Sequence, residues 1–283
     1  MTLNTDIRLD YPVGREPRYP VPNRPHPRLA NLLARGHAEY AQFLRGCLVH
    51  LDTLASIALE GSTDGVDPYW RNGFVPGMDA VTLYTMVAMR RPACVIEIGS
   101  GHSTRFLAKA IREHSPRTTL ISIDPSPRAQ CDRLCDEIIR APLETADLSR
   151  FDALRAGDIV FMDGSHRCFM HTDTTVFFLD ILPGLPPGVM VGIHDICLPF
   201  DYPEAYVDLY WSEQYLLAVY LLAECAWFSV YYPSVFAAVD PVLSKILQPI
   251  WDRFPPGAIE THGSIFWLQT CIAERKPVQS LQR

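Results

Sequence analysis

Five short apolar runs, all after Pro92, constrain the fold of this chain most strongly. They are typical of buried strands and occupy residues 94–98, 119–123, 138–141, 158–162 and 189–193. Between and after them, the residue pattern predicts helices over 104–113, 128–135, 171–182 and 212–225. Strands that alternate with helices form a parallel sheet with helices on both faces. Because runs at 227–231 and 264–269 predict a last antiparallel pair, we expect a Rossmann-like α/β fold with a doubly wound, seven-stranded sheet.

The chain before Pro92 divides into two parts. Residues 1–28 form a Pro/Arg-rich segment, and six prolines among its first 27 residues predict an extended arm without a core of its own. This arm is either a surface tail or a segment that crosses a neighbouring subunit or covers a site. Residues 29–92 predict an N-terminal helical and lid segment, with helical spacing over 29–59 and a helix over 79–89. The sheet domain then spans 93–271, and 272–283 form a C-terminal tail.

Composition and charge exclude several classes of function. The formal net charge of −7 argues against nucleic-acid binding, because nothing would drive counterion release from phosphates. The N-terminus has no apolar signal segment, and Glu224 and Pro233 interrupt the one membrane-like run at 215–239. Eight cysteines without a CxxC pair favour buried thiols in a reducing compartment. We expect a cytoplasmic protein with a small-molecule substrate and no membrane partner. The insertion at 240–262 predicts a site wall or a homodimer contact.

A glycine turn follows the first predicted strand, in the sequence Glu97-Ile-Gly99-Ser100-Gly101-His-Ser103-Thr104. Glycine allows a sharp turn and close approach of a ligand, and the helix after it offers free N–H groups. Thr104 stands where a dinucleotide fingerprint has its third glycine, which disfavours NAD. Glu97 is predicted to be buried at a strand end, where it needs a cation or hydrogen-bond donors. Asp124 ends the second strand, where a carboxylate can accept both hydroxyls of a ribose.

Two further polar clusters end the fourth and fifth predicted strands. Asp163-Gly-Ser-His166 follows the fourth strand, and His194-Asp195 follows the fifth. The carboxyl ends of neighbouring parallel strands meet at one edge of a sheet, so these groups are expected to share a small volume. A histidine there suits proton removal, and two carboxylates suit a divalent cation. A third acidic ligand is not evident from the sequence, although Asp173 and Asp201 are candidates.

Together these motifs make residues 93–269 similar to the class I S-adenosylmethionine-dependent methyltransferases, most of all to small-molecule O-methyltransferases with an IDGxH…HD signature. The resemblance implies a cofactor cleft at the carboxyl edge of the sheet. Glu97 would face the methionine amino group, Asp124 would hold the ribose, and the adenine would lie near Pro142. The cofactor-binding set that the resemblance implies is Glu97, Gly99, Ser100, Gly101, Ser103, Asp124, Pro142 and Asp163.

The expected reaction is transfer of a methyl group from S-adenosylmethionine to a hydroxyl of a saccharide or secondary metabolite. His166, His194 and Asp163 are the predicted catalytic residues, and Asp163 and Asp195 are the predicted ligands of an optional metal. Aromatic side chains of the flanking loops predict substrate contacts at Trp70, Tyr202 and Trp211. Two alternatives stay open: a non-methylating enzyme that uses the same cofactor, and a non-catalytic cofactor-binding partner subunit.

Overall fold

The computed structural model describes residues 10–61, 65–127 and 130–271. Its seven strands form one sheet in the order β3-β2-β1-β4-β5-β7-β6. All neighbours pair in parallel except β7, which runs antiparallel to both β5 and β6. This confirms the predicted doubly wound sheet and its antiparallel end. The strands are β1 (Cys94–Ile98), β2 (Thr119–Ile123), β3 (Glu137–Ile139), β4 (Ile159–Met162), β5 (Met190–Ile193), β6 (Phe228–Pro233) and β7 (Phe266–Thr270).

The α-helices are shorter than the residue pattern predicts at several places. The run over 29–59 splits into three helices, because Gly36 starts a new helix and a 3₁₀ turn follows Cys47. The described part of 128–135 holds only the 3₁₀ turn Asp132–Leu134. The helices are α1 (Pro27–Ala34), α2 (His37–Cys47), α3 (Leu51–Ala55), α4 (Gly77–Arg90), α5 (His102–His114), α6 (Ser149–Asp152), α7 (Asp173–Val176), α8 (Glu213–Leu222), α9 (Ser234–Val239) and α10 (Gln248–Trp251).

The sheet is buried on both faces, which explains why its central strands are apolar without alternation. On β1, Val95 belongs to one hydrophobic cluster while Ile96 and Ile98 belong to the other. Helices α2 and α4 and the insertion at 240–262 pack in the first cluster, as the buried Leu44, Val81 and Trp251 show. The N-terminal segment is therefore packed onto the sheet and has no separate core.

The N-terminal arm lies against the loop that follows β5. The His26 N–H donates to Pro199 O at 2.8 Å, and the Asp201 N–H donates to Tyr19 O at 2.9 Å. Arg15 makes a two-pronged ion pair with Asp208, at 2.8 and 3.0 Å. The predicted tail at 272–283 lies outside the described residues. Within the described residues, no helix has the length and apolar character to cross a membrane.

Candidate functional site

The glycine turn after β1 is held in shape by the buried carboxyl group of Glu97. Ser103 Oγ and Thr104 Oγ each donate to a different oxygen of Glu97, both at 2.6 Å. Thr104 Oγ in turn accepts the Gly101 N–H at 2.9 Å. Burial raises the pKa of Glu97 to about 8, although the two hydroxyl donors oppose this shift. Glu97 therefore braces the turn from behind.

A cleft of about 470 Å³ opens in front of this turn, at the carboxyl edge of the sheet. Gly99 has a φ of +79°, and a Cβ there would lie 1.8 Å from the carbonyl oxygen of Asp163, so only glycine fits. Asp124 is fixed by two N–H donors, from Ser100 and Ser126, each at 2.7 Å. Each oxygen of Asp124 keeps a second lone pair that can accept a ligand hydroxyl.

Seven of the eight residues predicted to bind the cofactor line this cleft; they are Gly99, Ser100, Gly101, Ser103, Asp124, Pro142 and Asp163. Glu97 is the exception, since it is fully buried and both of its oxygens face Ser103 and Thr104. Phe74 and His102, whose rings stack with centroids 5.4 Å apart, close one side of the cleft.

The strand-end polar residues meet beside the cleft, as the topology predicts, and Asp163 belongs both to this cluster and to the cleft lining. His166 Nε2 lies 3.4 Å from Asp163 Oδ1 and 3.6 Å from Asp195 Oδ2. Ligand atoms of these three residues all lie within 4.8 Å of one another, a spacing that suits one metal ion. His166 and Asp195 have φ values of +62° and +55°. Non-glycine residues with such values concentrate at functional sites, because the local strain needs support from the surrounding structure.

Glu213, at the start of α8, orients His166 through the ring nitrogen that does not face Asp163. Its Oε1 lies 2.5 Å from His166 Nδ1, so the imidazole bridges a buried carboxyl group and the Asp163–Asp195 pair. Burial alone would lower the pKa of His166, but the charge of Glu213 and the hydrogen bond with Asp163 raise it to about 10. A carboxylate behind an imidazole is also the usual support of a metal-binding histidine.

His194 occupies the deeper part of the cluster. Its Nδ1 lies 3.3 Å from Asp195 Oδ2 and 3.6 Å from Asp163 Oδ1, while its Nε2 lies 3.4 Å from Asp79 Oδ2. Burial opposes protonation, but the charges of Asp195 and Asp163 raise the pKa of His194 well above its ordinary value. The same contacts hold the pKa of Asp163 below its usual range, against the effect of burial.

Two members of this cluster, Asp79 and Glu213, are not predicted from the sequence. Asp79 lies on the N-terminal helix α4, and Glu213 begins α8, so neither follows a strand of the predicted sheet. A buried acid in the first turn of an apolar helix is the signal that could have pointed to each. The two acids considered as further metal ligands lie elsewhere: Asp173 accepts the Ser165 N–H at 2.6 Å, and Asp201 accepts the Tyr19 N–H at 3.0 Å.

Of the three predicted substrate residues, Tyr202 and Trp211 lie together and Trp70 lies apart from them. Trp70 is buried in the core, where its ring packs against Trp251 and Phe254 rather than lining the cleft. The 61–78 loop therefore contributes Phe74 to the cleft instead. Tyr202 and Trp211 line a second cavity, and the Trp211 ring lies 4.2 Å from the ring of His166.

A family model described as a methyltransferase domain matches residues 96–196. The matched span runs from β1 to the loop after β5, so it includes the glycine turn, Asp124, Asp163, His166 and Asp195. None of the curated proteins matches the chain.

Among solved structures, the chain is similar to the O-methyltransferase TomG of Streptomyces achromogenes, involved in tomaymycin synthesis and solved with S-adenosylmethionine (18% identity, TM-score 0.38, 67% of this chain and 78% of that one). It is also similar to an O-methyltransferase from Bacillus cereus solved with S-adenosylhomocysteine (14% identity, TM-score 0.41, 81% and 90%). The family match falls on the strands whose ends build the cleft, and the sheet order 3-2-1-4-5-7-6 is that of the Rossmann-like methyltransferase fold, so residues 96–196 are identified as a methyltransferase domain.

Proposed function

We propose that this methyltransferase transfers a methyl group to a hydroxyl of a small molecule, either a saccharide or a secondary metabolite. One observation carries the proposal: Asp163 lines the cofactor cleft and also belongs to the cluster with His166 and Asp195. A hydroxyl held by this cluster would therefore stand beside the cofactor, as an in-line transfer requires.

The cleft supplies the groups that S-adenosylmethionine needs. The free carboxylate lone pairs of Asp124 suit the ribose hydroxyls, and the bare backbone at Gly99 and Gly101 lets the cofactor lie close to the turn. Pro142 offers an apolar surface for the adenine. Glu97 acts as a positioning residue, because it holds the turn through Ser103 and Thr104. Bound S-adenosylmethionine supplies a methyl group on a sulfonium sulfur and leaves as a thioether.

The polar cluster removes the hydroxyl proton. The acceptor's proton would pass to the neutral form of an imidazole of the cluster, His166 or His194, with Asp163 and Asp195 orienting it. Because the neighbouring carboxylates raise the pKa of both imidazoles, the neutral form requires a pH above that pKa or a bound cation that offsets the carboxylate charge. The donor set of Asp163, His166 and Asp195 also fits a divalent cation, with Glu213 behind the histidine. Such a cation would lower the pKa of an acceptor hydroxyl.

The test is calorimetry followed by product analysis. We expect the protein to bind S-adenosylhomocysteine, and Asp124→Ala to weaken that binding by about tenfold or more, since a bidentate ribose contact is lost. Asp136→Ala is the control, because this carboxylate accepts the Leu120 N–H away from the cleft. With an accepted hydroxyl substrate, S-adenosylhomocysteine and the methyl ether should appear in equal amounts. Cofactor consumption without methylated product would instead support a non-methylating reaction.

The base is tested by single replacements. His166→Ala and His194→Ala are each compared with His37→Ala, which removes an imidazole paired with Asp240 outside the cluster. Activity that survives in His166→Ala with an unchanged pH profile would exclude His166 as the proton acceptor. The same result for His194→Ala would exclude His194.

A further inference from the structure

A second cavity of about 570 Å³ lies between the N-terminal arm and the segment after β5. We call it the arm cavity, and its lining includes residues 13–18 of the arm together with Tyr202, Tyr206, Trp211 and Tyr215. Phe169 lines both the arm cavity and the cofactor cleft, so the two spaces adjoin at this side chain. A ligand in the arm cavity would therefore lie across the Phe169 side chain from the cofactor cleft.

The inner wall of the arm cavity is a set of aromatic rings that reaches the catalytic cluster. Tyr206 and Trp211 stack with centroids 4.4 Å apart and planes tilted by 30°. Tyr202 meets the edge of Trp211 at 6.0 Å, with the planes 77° apart. The Trp211 ring also lies 4.2 Å from the His166 ring, with the planes tilted by 41°. Flat apolar faces thus border the group that would accept the hydroxyl proton.

Several polar groups of the cavity wall already form ion pairs, ring contacts or hydrogen bonds with neighbouring protein groups. Arg15 pairs with Asp208 and lies 3.7 Å from Glu204, and Arg18 lies over the Tyr19 ring. Asp201 accepts the Tyr19 N–H at 3.0 Å and the Tyr215 hydroxyl at 3.4 Å. A ligand with many hydroxyls needs matching polar partners once it is buried, whereas a planar aromatic ligand needs apolar faces.

We propose that the arm cavity is the acceptor pocket and that its ligand is a planar aromatic molecule carrying the hydroxyl. The arm forms the outer wall, which the ion pair between Arg15 and Asp208 fastens over the ligand. The inference rests on the proposed function, because it names the substrate class for the same transfer. It narrows the acceptor class from saccharides and secondary metabolites in general to planar aromatic molecules that carry a hydroxyl.

The probe pair is 2-naphthol and decahydro-2-naphthol, which carry the same hydroxyl on an aromatic and a saturated bicycle. Calorimetry on the full chain with saturating S-adenosylhomocysteine measures both. The saturated probe is more apolar, so hydrophobicity alone would favour it. We expect 2-naphthol to bind about fivefold more tightly, because only its ring can stack on an aromatic face of the wall such as that of Tyr206.

Two variants connect this binding to the cavity. Tyr206→Ala should weaken 2-naphthol about fivefold, while Tyr11→Ala, which removes an exposed tyrosine of the arm, should leave it unchanged. Arg15→Ala should weaken it about two- to fivefold, because the outer wall loses its fastening. Arg253→Ala is the control, since it breaks the Arg253–Asp52 ion pair on another surface.

Equal or tighter binding of the saturated probe would overturn the inference, as would 2-naphthol binding that Tyr206→Ala leaves unchanged. Titration of S-adenosylhomocysteine into each variant distinguishes failure of the aromatic-acceptor proposal from failure of the proposed methyltransferase function. Normal cofactor binding with no preference for 2-naphthol rejects the aromatic acceptor and leaves the methyltransferase in place. If the unmodified chain does not bind S-adenosylhomocysteine at all, the proposed function itself is rejected.

Discussion

Gly99 and Gly101 stand two residues apart in the turn after β1, and each lacks a side chain for a different reason. At Gly99 a methyl group would collide with the Asp163 carbonyl, 1.8 Å away, in a backbone conformation that favours glycine. At Gly101 a methyl group would meet no protein atom within 4 Å. Because Gly101 lines the cleft, we propose that a side chain at this position would obstruct a ligand in the cleft and leave the fold unchanged.

This difference predicts opposite results for two alanine variants. Gly99→Ala should lower the free energy of unfolding by about 2 kcal/mol or more, since the turn must shift away from Asp163. Gly101→Ala should leave the unfolding transition nearly unchanged and weaken S-adenosylhomocysteine about tenfold. Chemical denaturation and calorimetry measure the two effects. Normal cofactor affinity in Gly101→Ala would contradict the position of the cofactor against this turn.

Glu97 predicts how stability changes with pH. Its pKa rises from 4.5 to about 8 on folding, so between these values the folded protein holds a proton that the unfolded chain releases. The free energy of unfolding contributed by this group therefore falls as pH rises from about 5 to 8, by at most about 1.4 kcal/mol per unit. Glu97→Gln keeps a neutral partner for Ser103 and Thr104 and should remove this slope. Denaturation of the ligand-free protein at several pH values measures it, and an unchanged slope would contradict the assignment.

At the scale of elements, the sequence predicts the strands far better than the helices. β1 and β2 lie where their apolar runs predict, because a strand buried on both faces needs a continuous apolar stretch. The segment after Asp173 has the apolar content of one helix, but α7 gives way after four residues to a π-helical turn at Phe177–Ile181. The local residue pattern does not indicate where a helix changes type, because tertiary packing decides this.

The residues of the site likewise fall into those that the sequence predicts and those that it does not. The meeting of Asp163, His166 and Asp195 follows from topology, since residues that end neighbouring parallel strands share one edge. Trp70 was predicted to contact substrate, but packing against Trp251 places it in the core, and no local signal announces a partner so distant in sequence. Asp79 and Glu213 reach the cluster from helices, so their roles depend on how α4 and α8 pack against the sheet.

Asp79 connects α4 to β7, and this connection predicts a stability effect. Its Oδ2 accepts the Ser264 N–H at 2.7 Å, and its Oδ1 accepts the Ile265 N–H at 3.0 Å. Asp79→Asn replaces one acceptor oxygen by an NH₂ group, which leaves a buried N–H without a partner and should cost about 1 to 3 kcal/mol. Asp67→Asn, at an exposed ion pair with Arg112, should change stability by less than about 1 kcal/mol. Equal effects in thermal unfolding would contradict the connection.

On the scale of the whole molecule, the polar cluster joins segments from every part of the chain. Asp163 follows β4, Asp195 follows β5, and Glu213 and Asp79 arrive from α8 and α4. The cluster has four carboxyl groups and two imidazoles, so a cation at its centre would relieve the excess of carboxylates. A ligand that binds only the assembled cluster must stabilise the complete fold, because the unfolded chain does not bring these residues together.

We therefore expect Mn²⁺ to stabilise the protein through Asp163, His166 and Asp195. At a concentration one hundred times its dissociation constant, the cation would add about 2.7 kcal/mol to the free energy of unfolding and raise Tm by about 5 °C or more. Asp195→Asn and His166→Ala should each abolish the shift, whereas Asp180→Asn, which removes an exposed acid, should retain it. Calorimetry with Mn²⁺ on chelator-treated protein gives the stoichiometry, which should be one. An equal Tm shift in Asp195→Asn would place the cation elsewhere, and a protein that Mn²⁺ neither binds nor stabilises would leave proton removal to the imidazoles alone.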